Sequence, residues 1–387
     1  MAEDGAAMSG GAKAKVLFVI PTLEHGGPDR VFFEVISRLD RARFTAELAV
    51  YSRTGGYLQQ LPPDVPVHIL RRPSRLWSRY PVDALLRLVW RLRPSLVVAT
   101  QSSTLTAGLL RRAFPSGTRL VSRVANDVGS VQRELHTGTT KHRVAARLSC
   151  ATWRGADELI AQSDYMREEL LGLLHCTPQR VHTLHNPIDL QRAQQLASAS
   201  VARPAGSPSF VTVGRLSSQK GLDVLLDALA VADDELPDAH VTIVGDGPDR
   251  KALEARAQRL GVSGKVTFAG FQPNPLPLVQ AADFFLLPSR YEGFSNAVLE
   301  ALALGTPAVV TNCPGANRDM VRQGIDGWLV PTEDPKALGA AMVEAARSPR
   351  LDRDAIRAGC GERFRAQRIV GQWDELLRHL TEHSARR

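Results

Sequence analysis

The stretch VTVGRLSSQKGLDVLLDAL, residues 211–229, starts a second α/β pattern past the midpoint of the chain. Phe210–Val213 is a short run of apolar and β-branched residues, the composition of a buried strand. Gly214 ends it, and from Leu222 onward apolar residues recur at helical spacing. A strand that passes through a short loop into a helix is the repeating unit of a parallel sheet covered on both faces. One such unit beginning here, after others have already run their course, divides the chain into two sheets.

Working outward, KVLFVIPTLEHGGPDRVFFEVISRLD, residues 15–40, has the same form: strand Val16–Ile20, a turn-rich loop, then a helical pattern from Pro28. Proline is tolerated in a first helical turn because its missing N–H would be unpaired there. Further strands are expected at Ala46–Tyr51, Val67–Leu70, Leu96–Thr100, Arg119–Val124, Glu158–Ala161 and Val181–Leu184. After a linker rich in small residues and proline at 187–207, the second series continues at His240–Val244, Lys265–Phe268, Phe284–Leu287, Ala308–Val310 and Gly327–Val330. The expectation is α/β: two doubly wound domains, 13–190 and 207–365, facing across a cleft. Residues 1–12 read as a disordered leader without the apolar core of a secretory signal, and a C-terminal amphipathic helix within 366–387 as packing back on the first domain. Ligands of such sheets bind at the carboxyl ends of the strands.

At 387 residues, 44% hydrophobic and 23% charged, the chain has the make-up of a soluble two-domain protein. Cys150, Cys176, Cys313 and Cys360 are scattered without a C-x-x-C pair, which favours reduced thiols over a disulfide framework or a zinc site. No run of about 18 apolar residues suggests a membrane span, so the expected location is cytoplasmic, with a peripheral position on the inner face of a membrane as the alternative. The net charge of +8 suits anionic partners. Residues 71–93 interleave Arg71, Arg72, Arg75, Arg79, Arg87, Arg91 and Arg93 with Trp77, Tyr80 and Trp90. That is either a surface for anionic lipid or an ordinary surface helix with Val82, Leu85, Leu86 and Val89 in the core.

Three strand ends carry candidate phosphate-binding loops. Gly26 and Gly27 precede a helix, where backbone N–H groups and the helix dipole meet an anion; paired glycines are equally ordinary turn chemistry. Gly214 is followed by Arg215, and Lys220 stands at the entry of the next helix, a guanidinium and an ammonium suited to a diphosphate. The bland alternative is a pair of surface cations. Gly245–Pro248 is a sharp strand-to-helix turn. No Walker pattern, no G-x-G-x-x-G with a following ribose acid, no H-E-x-x-H and no G-x-S-x-G occurs, which disfavours P-loop nucleotidases, dinucleotide dehydrogenases, zinc proteases and serine hydrolases.

SRYEGFSNAVLEALALGTP, residues 289–307, places Glu292 before a helix capped at Ser295 or Asn296 and running to Leu304, with Glu300 about one turn inside it. Gly293 permits close backbone approach, and the N–H groups from Phe294 to Ala297 form the positive helix end. Carboxylates are poor neighbours for phosphate but good acceptors for hydroxyls. Sugar hydroxyl, diphosphate, ribose hydroxyl is the order that fits: a nucleoside-diphosphate sugar. Against it stands the reading of both glutamates as solvated or dipole-favoured helix acids.

The segment EGFSNAVLE, preceded by a strand ending in Pro-Ser and followed by ALALGTPAVV, resembles the E-x7-E signature of retaining glycosyltransferases of the two-domain GT-B architecture, family 4 or group 1 type. GGPDRV, VGRLSSQKG, VGDGP and HNPID follow the family's order along nearly the whole chain. The resemblance implies that Gly27 approaches the donor phosphates, that Arg215 and Lys220 neutralise the diphosphate, and that Glu300 accepts from the ribose. It implies that Glu292 holds the transferred sugar with backbone amides near Phe294 to Asn296, and that Phe271 lines the base pocket. Many members carry a histidine after the strand matching Arg119–Val124; this chain has Ala125 and Asn126 there. Asn126 and Asp127 are the substitutes, and His25 and His136 other polar candidates.

What the resemblance implies is a sugar transfer with retained configuration, by front-face displacement and with an oxocarbenium-like transition state. The cations and helix end act where charge develops on the leaving diphosphate, with no metal and no cofactor beyond the donor. UDP is the expected nucleotide and a glycan or lipid-linked hydroxyl the expected acceptor; no nucleic acid is expected, and the protein is a monomer or homodimer. Competing classes are an epimerase or hydrolase acting on nucleotide sugars, and a non-catalytic sugar-nucleotide or lipid-binding protein.

Overall fold

The structure, a computed structural model, describes residues 13–24, 27–70, 81–125, 128–201, 203–348 and 351–384. The leader 1–12, His25, Gly26, Asn126, Asp127 and the first part of the basic segment, 71–80, lie outside the described residues.

The strands are β1 (Ala14–Ile20), β2 (Phe44–Val50), β3 (Val67–Ile69), β4 (Leu96–Thr100), β5 (Arg119–Arg123), β6 (Glu158–Ala161), β7 (Val181–Thr183), β8 (Ser209–Val213), β9 (His240–Val244), β10 (Val266–Gly270), β11 (Phe284–Leu287), β12 (Ala308–Thr311) and β13 (Gly327–Val330). The helices are α1 (Gly27–Arg38), α2 (Val82–Leu92), α3 (Ser103–Leu110), α4 (Val128–Thr137), α5 (Thr140–Gly155), α6 (Asp164–Leu174), α7 (Leu190–Ala197) and α8 (Leu222–Val231). They continue with α9 (Arg250–Arg259), α10 (Leu276–Ala281), α11 (Asn296–Ala303), α12 (Asn317–Met320), α13 (Pro335–Arg347), α14 (Arg353–Phe364) and α15 (Ala366–Ser384).

Two sheets result, a seven-stranded one in the order β3-β2-β1-β4-β5-β6-β7 and a six-stranded one in the order β10-β9-β8-β11-β12-β13. Their ladders are parallel, with Phe18 opposite both Leu48 and Val98 in the first and Val211 opposite Thr242 and Phe285 in the second. Strands buried on both faces need apolar side chains throughout, and Val16 to Ile20 are all fully buried. Two hydrophobic clusters flank the six-stranded sheet. One gathers Val211, Phe285, Leu299, Leu302 and Phe364; the other Phe210, Leu225, Leu226, Leu286 and Met342. Helix starts follow capping chemistry: Asp189, Asp334 and Asp352 each accept an N–H of their own first turn.

By contact, the chain falls into one unit of Met1–Arg123, Ala151–Leu159 and Val370–Arg387 and another of Val124–Cys150 and Ile160–Ile369. This contact division does not follow the sheets, whose last and first strands, β7 and β8, lie on either side of the 187–207 linker. Val124 onward joins the second unit because its N–H bonds Ile160 O at 2.9 Å and its carbonyl accepts from Gln162 Nε2 at 3.0 Å. Ile188 bonds both sides of the turn between α14 and α15, through Phe364 O and Ala366 N–H, each at 2.9 Å. In the first unit, Trp373 of α15 packs edge-on against Phe32 with centroids 6.5 Å apart, and Asp374 accepts from the Asp40 N–H at 3.1 Å.

Candidate functional site

Three neighbouring strands of the six-stranded sheet end in glycine. Gly214 follows β8, Gly245 follows β9, and Gly270 closes β10. Gly214 N–H bonds Val244 O at 3.0 Å and Gly245 N–H bonds Gly270 O at 2.8 Å. Gly245 has φ +136°, and a Cβ there would lie 1.9 Å from Gly214 O, so no other residue fits. Side-chain-free backbone therefore runs along this edge of the sheet. Phe271, next after Gly270, is 74% exposed, an unusual setting for a phenyl ring.

The missing side chain at Gly214 also makes room for Lys220. A Cβ at 214 would sit 3.2 Å from Lys220 Cε. The lysine stem is thereby laid across the strand end, and its Nζ donates to Glu292 Oε1 at 2.6 Å. Ser289 Oγ donates to the same oxygen at 2.6 Å. Glu292 is buried, and its other oxygen, Oε2, has no partner among the described residues. Arg215 is exposed and also has no side-chain partner among the described residues. The two cations predicted from sequence thus differ: one is spoken for, the other open.

Arg290 ties the Lys220 turn to the Glu292 loop. Its guanidinium is bidentate to Asp223 at 2.9 and 2.8 Å, donates to Ser218 O at 2.6 Å and pairs with Glu333. Its N–H bonds Gln219 O at 2.8 Å, while Gln219 Nε2 donates to Tyr291 O at 3.0 Å. Those bonds, first that to Asp223, push the Arg290 guanidinium pKa up. Burial alone would raise the Asp223 carboxyl, yet the hydrogen bond and charge of Arg290, with two backbone N–H groups, hold it below its usual range. Sequence reading missed Ser289, Arg290 and Asp223. The acid-rich surroundings of Arg290 come from loops distant in sequence, so no local spacing announces them.

The Glu292 loop is held from behind as well. Glu292 N–H bonds Pro314 O at 2.9 Å, and Thr311 Oγ1 donates to Ser289 O at 2.5 Å. Gly315, at φ +126°, would put a Cβ 2.0 Å from Glu292 O. Burial, then the nearby Glu292 charge, pushes the Cys313 thiol up to about 12, leaving it inert.

Helix α11 begins at the Ser295 cap, whose Oγ accepts from Val298 N–H at 3.5 Å. Val298, Leu299, Ala301, Leu302 and Ala303 are buried; Asn296, Ala297 and Glu300 are the partly exposed stripe, with Asn296 and Glu300 one turn apart. Asn296 Oδ1 accepts from Asn186 Nδ2 at 3.0 Å. Phe294 is 7% exposed and packs on His185 and Phe364, so its side chain belongs to the core and only its backbone faces outward tasks. Gly293 lies against Ala125 O: a Cβ there would approach it to 3.2 Å, and Gln162 Nε2 to 3.5 Å. Gln162, buried and bonded to Val124 O, is a polar neighbour that sequence reading did not single out. His136 is exposed on α4, and Gly27 opens α1 in the other unit.

The fold is similar to that of HepE from Anabaena, solved in complex with UDP and glucose: TM-score 0.76, 21% identity, 95% of this chain and 100% of that one covered. The architecture is GT-B. Residues 194–360 match the family described as Glycosyl transferases group 1, and residues 25–192 match Glycosyltransferase Family 4. The chain belongs to the group 1 glycosyltransferases. Among curated relatives, the lipopolysaccharide core biosynthesis glycosyltransferase LpsE of Rhizobium meliloti is 31% identical over 195 residues, 50% of this chain and 54% of the relative. A D-inositol 3-phosphate glycosyltransferase of Mycolicibacterium gilvum is 34% identical over 203 residues, 49% of this chain and 44% of the relative. The chain spans about half the length of the curated relatives it matches.

Proposed function

We propose that this protein transfers a sugar from a nucleoside diphosphate, UDP in the first instance, to an acceptor hydroxyl with retention of anomeric configuration and without a divalent cation. The observation that carries the reading is the Lys220–Glu292 pair at 2.6 Å, with Glu292 Oε2 and the Arg215 guanidinium left open beside it. A diphosphate needs cations and a sugar needs hydroxyl acceptors, and the residues at this strand end include both.

In the proposed reaction the bond from the sugar's anomeric carbon to the leaving phosphate oxygen breaks as the acceptor oxygen bonds that carbon on the same face. The acceptor's proton passes to the departing phosphate oxygen. Arg215, Lys220 and the N–H groups at the start of α11 stabilise the charge that collects on the diphosphate. Glu292 orients the sugar through its hydroxyls, and Glu300 accepts from the ribose. The exposed ring of Phe271 supports the base. UDP is favoured because HepE was solved with UDP and glucose, and a glycan or lipid-linked acceptor because LpsE is named for lipopolysaccharide core biosynthesis.

Calorimetric titration with UDP, GDP and ADP in EDTA, on wild type and Glu300→Ala, tests the reading. One nucleotide is expected to bind, with affinity reduced about 10-fold or more in the variant, the scale of a hydrogen bond to a charged group. Binding of none, or binding only with a divalent cation, overturns it. The anomeric configuration of the product, read by NMR, decides retention.

A further inference from the structure

We propose that α5 docks on an anionic membrane surface. This deepens the lipid-linked reading of the acceptor without depending on it, since docking is measured with neither donor nor acceptor present.

Helix α5 is apolar on two opposite sides. Ala146, Cys150 and Trp153 are buried and attach it to the protein. On the far side Val144 is 57% exposed and Leu148 37% exposed, one helical turn apart, with Ala151 exposed a further turn on. A single exposed apolar side chain is ordinary. A stripe of them on the outward face of an anchored helix is not, because a surface helix normally turns polar residues that way. Lys141 flanks the stripe on one side, Arg143 and Arg147 on the other. All three are exposed without an ion-pair partner among the described residues, and Thr140–Gly155 contains no acidic residue.

Charge and shape together choose the occupant. A second copy of the chain seated face to face would oppose these cations to their like. A soluble polyanion would satisfy the cations but leave Val144 and Leu148 with nothing to bury against. The headgroup boundary of an anionic bilayer offers phosphate for the cations and acyl chain for the stripe. A second basic helix, α2, lacks the second feature. It turns Leu85, Leu88 and Val89 inward, Arg87 pairs with Asp83, and Trp90, its one large exposed apolar side chain, donates its indole N–H to Ala113 O at 2.8 Å.

The test is sedimentation of the full chain with vesicles of phosphatidylcholine, alone or mixed with phosphatidylglycerol. Binding is expected only to the mixed vesicles and should weaken with salt. Lys141→Gln/Arg143→Gln/Arg147→Gln is expected to weaken it on the order of 100-fold, at about fivefold per cation. Val144→Ser/Leu148→Ser should weaken it at least about 10-fold, from the lost apolar burial. Thermal melts establish that each variant is folded; all substituted side chains are exposed, and Arg143→Glu alone serves if the multiple variants unfold. Any of four outcomes overturns the proposal: no preference for anionic vesicles; α5 variants that bind like wild type; loss confined to an Arg87→Gln/Arg91→Gln variant; or self-association abolished by the Val144/Leu148 change. Full competition by heparin with an unaffected Val144/Leu148 variant would make the surface a polyanion site instead.

Discussion

The two edges of the six-stranded sheet use the same residue types to opposite ends. At the amino edge every named charge is consumed within the protein. Arg203 is bidentate to Asp283, Asp283 also accepts from Ser209 N–H and Oγ, and Arg353 donates to Gln280 O and Ala282 O. Asp326, fully buried before β13, takes Arg322 at both oxygens and Arg363 at one. A cavity of about 500 Å³ opens at this edge, between Phe284, Leu351 and the two arginines, yet its lining has no charge to spare. At the carboxyl edge, among the described residues, Arg215 and Glu292 Oε2 have no side-chain partner, and Phe271 stands in solvent. Unspent chemistry, rather than room, is what separates the proposed donor site from that cavity.

Substitutions at the two edges should therefore separate activity from stability. The largest effect is expected for Arg215→Ala, which should lower kcat for sugar transfer by about 10²- to 10³-fold, the scale of removing one preorganised charge stabiliser, with little change in melting temperature because Arg215 is exposed and has no side-chain partner among the described residues. Initial rates and a thermal melt on the same preparation check both halves. Asp326→Asn should do the reverse. It leaves two guanidinium groups partly unpaired and should cost about 3 kcal/mol of stability by denaturant titration, with nucleotide affinity unchanged. Glu292→Gln sharpens the contrast. Transfer should fall about 100-fold while the nucleoside diphosphate binds more tightly, because Lys220 no longer has a carboxylate to leave; weaker nucleotide binding in a titration would refute the self-paired resting site. Arg203→Gln, at a pair 58% exposed on the arginine side, should change stability by about 0.5 kcal/mol and activity not at all.

A pH experiment gives a smaller effect. Burial lowers the His185 pKa below its ordinary 6.5. The unfolded chain then binds more protons than the folded one just below that value, so stability should decline as pH falls from about 7 through 6.5 and level off once the folded-state value is passed. Plots of melting temperature against pH should lose that slope in His185→Gln. An unchanged slope would assign it to other groups.

Much of the fold was legible because the strands are buried on both faces and so appear as uninterrupted apolar runs. Phe284–Leu287 needed no adjustment, and Phe210–Val213 only the addition of Ser209. The bonds that bring Val124 to Ile160 and Gln162 were not legible, because they join residues far apart in sequence. In the candidate site, the places of the glycines, Arg215, Lys220, Glu292 and Glu300 after strands could be read, their roles being the proposal above. That Lys220 bonds Glu292, and that Arg290 fastens their two loops, could not; both depend on β8 and β11 being neighbours in the sheet while lying far apart in the chain. That the Phe294 ring is core could not be read either, since its neighbours His185 and Phe364 come from remote segments; the expectation for Phe294 concerned its backbone amide.

The glycine endings of β8, β9 and β10 bear on how donor choice could be redesigned. At Gly245 a side chain would strike the backbone of the next strand, so variation is barred there. Gly214 tolerates one only by displacing the lysine stem. On the proposed reading, in which Phe271 lines the base, a library aimed at a new nucleotide should leave those positions constant and randomise the rim beginning at Phe271, a residue 74% exposed. In this protein the floor is fixed and the wall is editable.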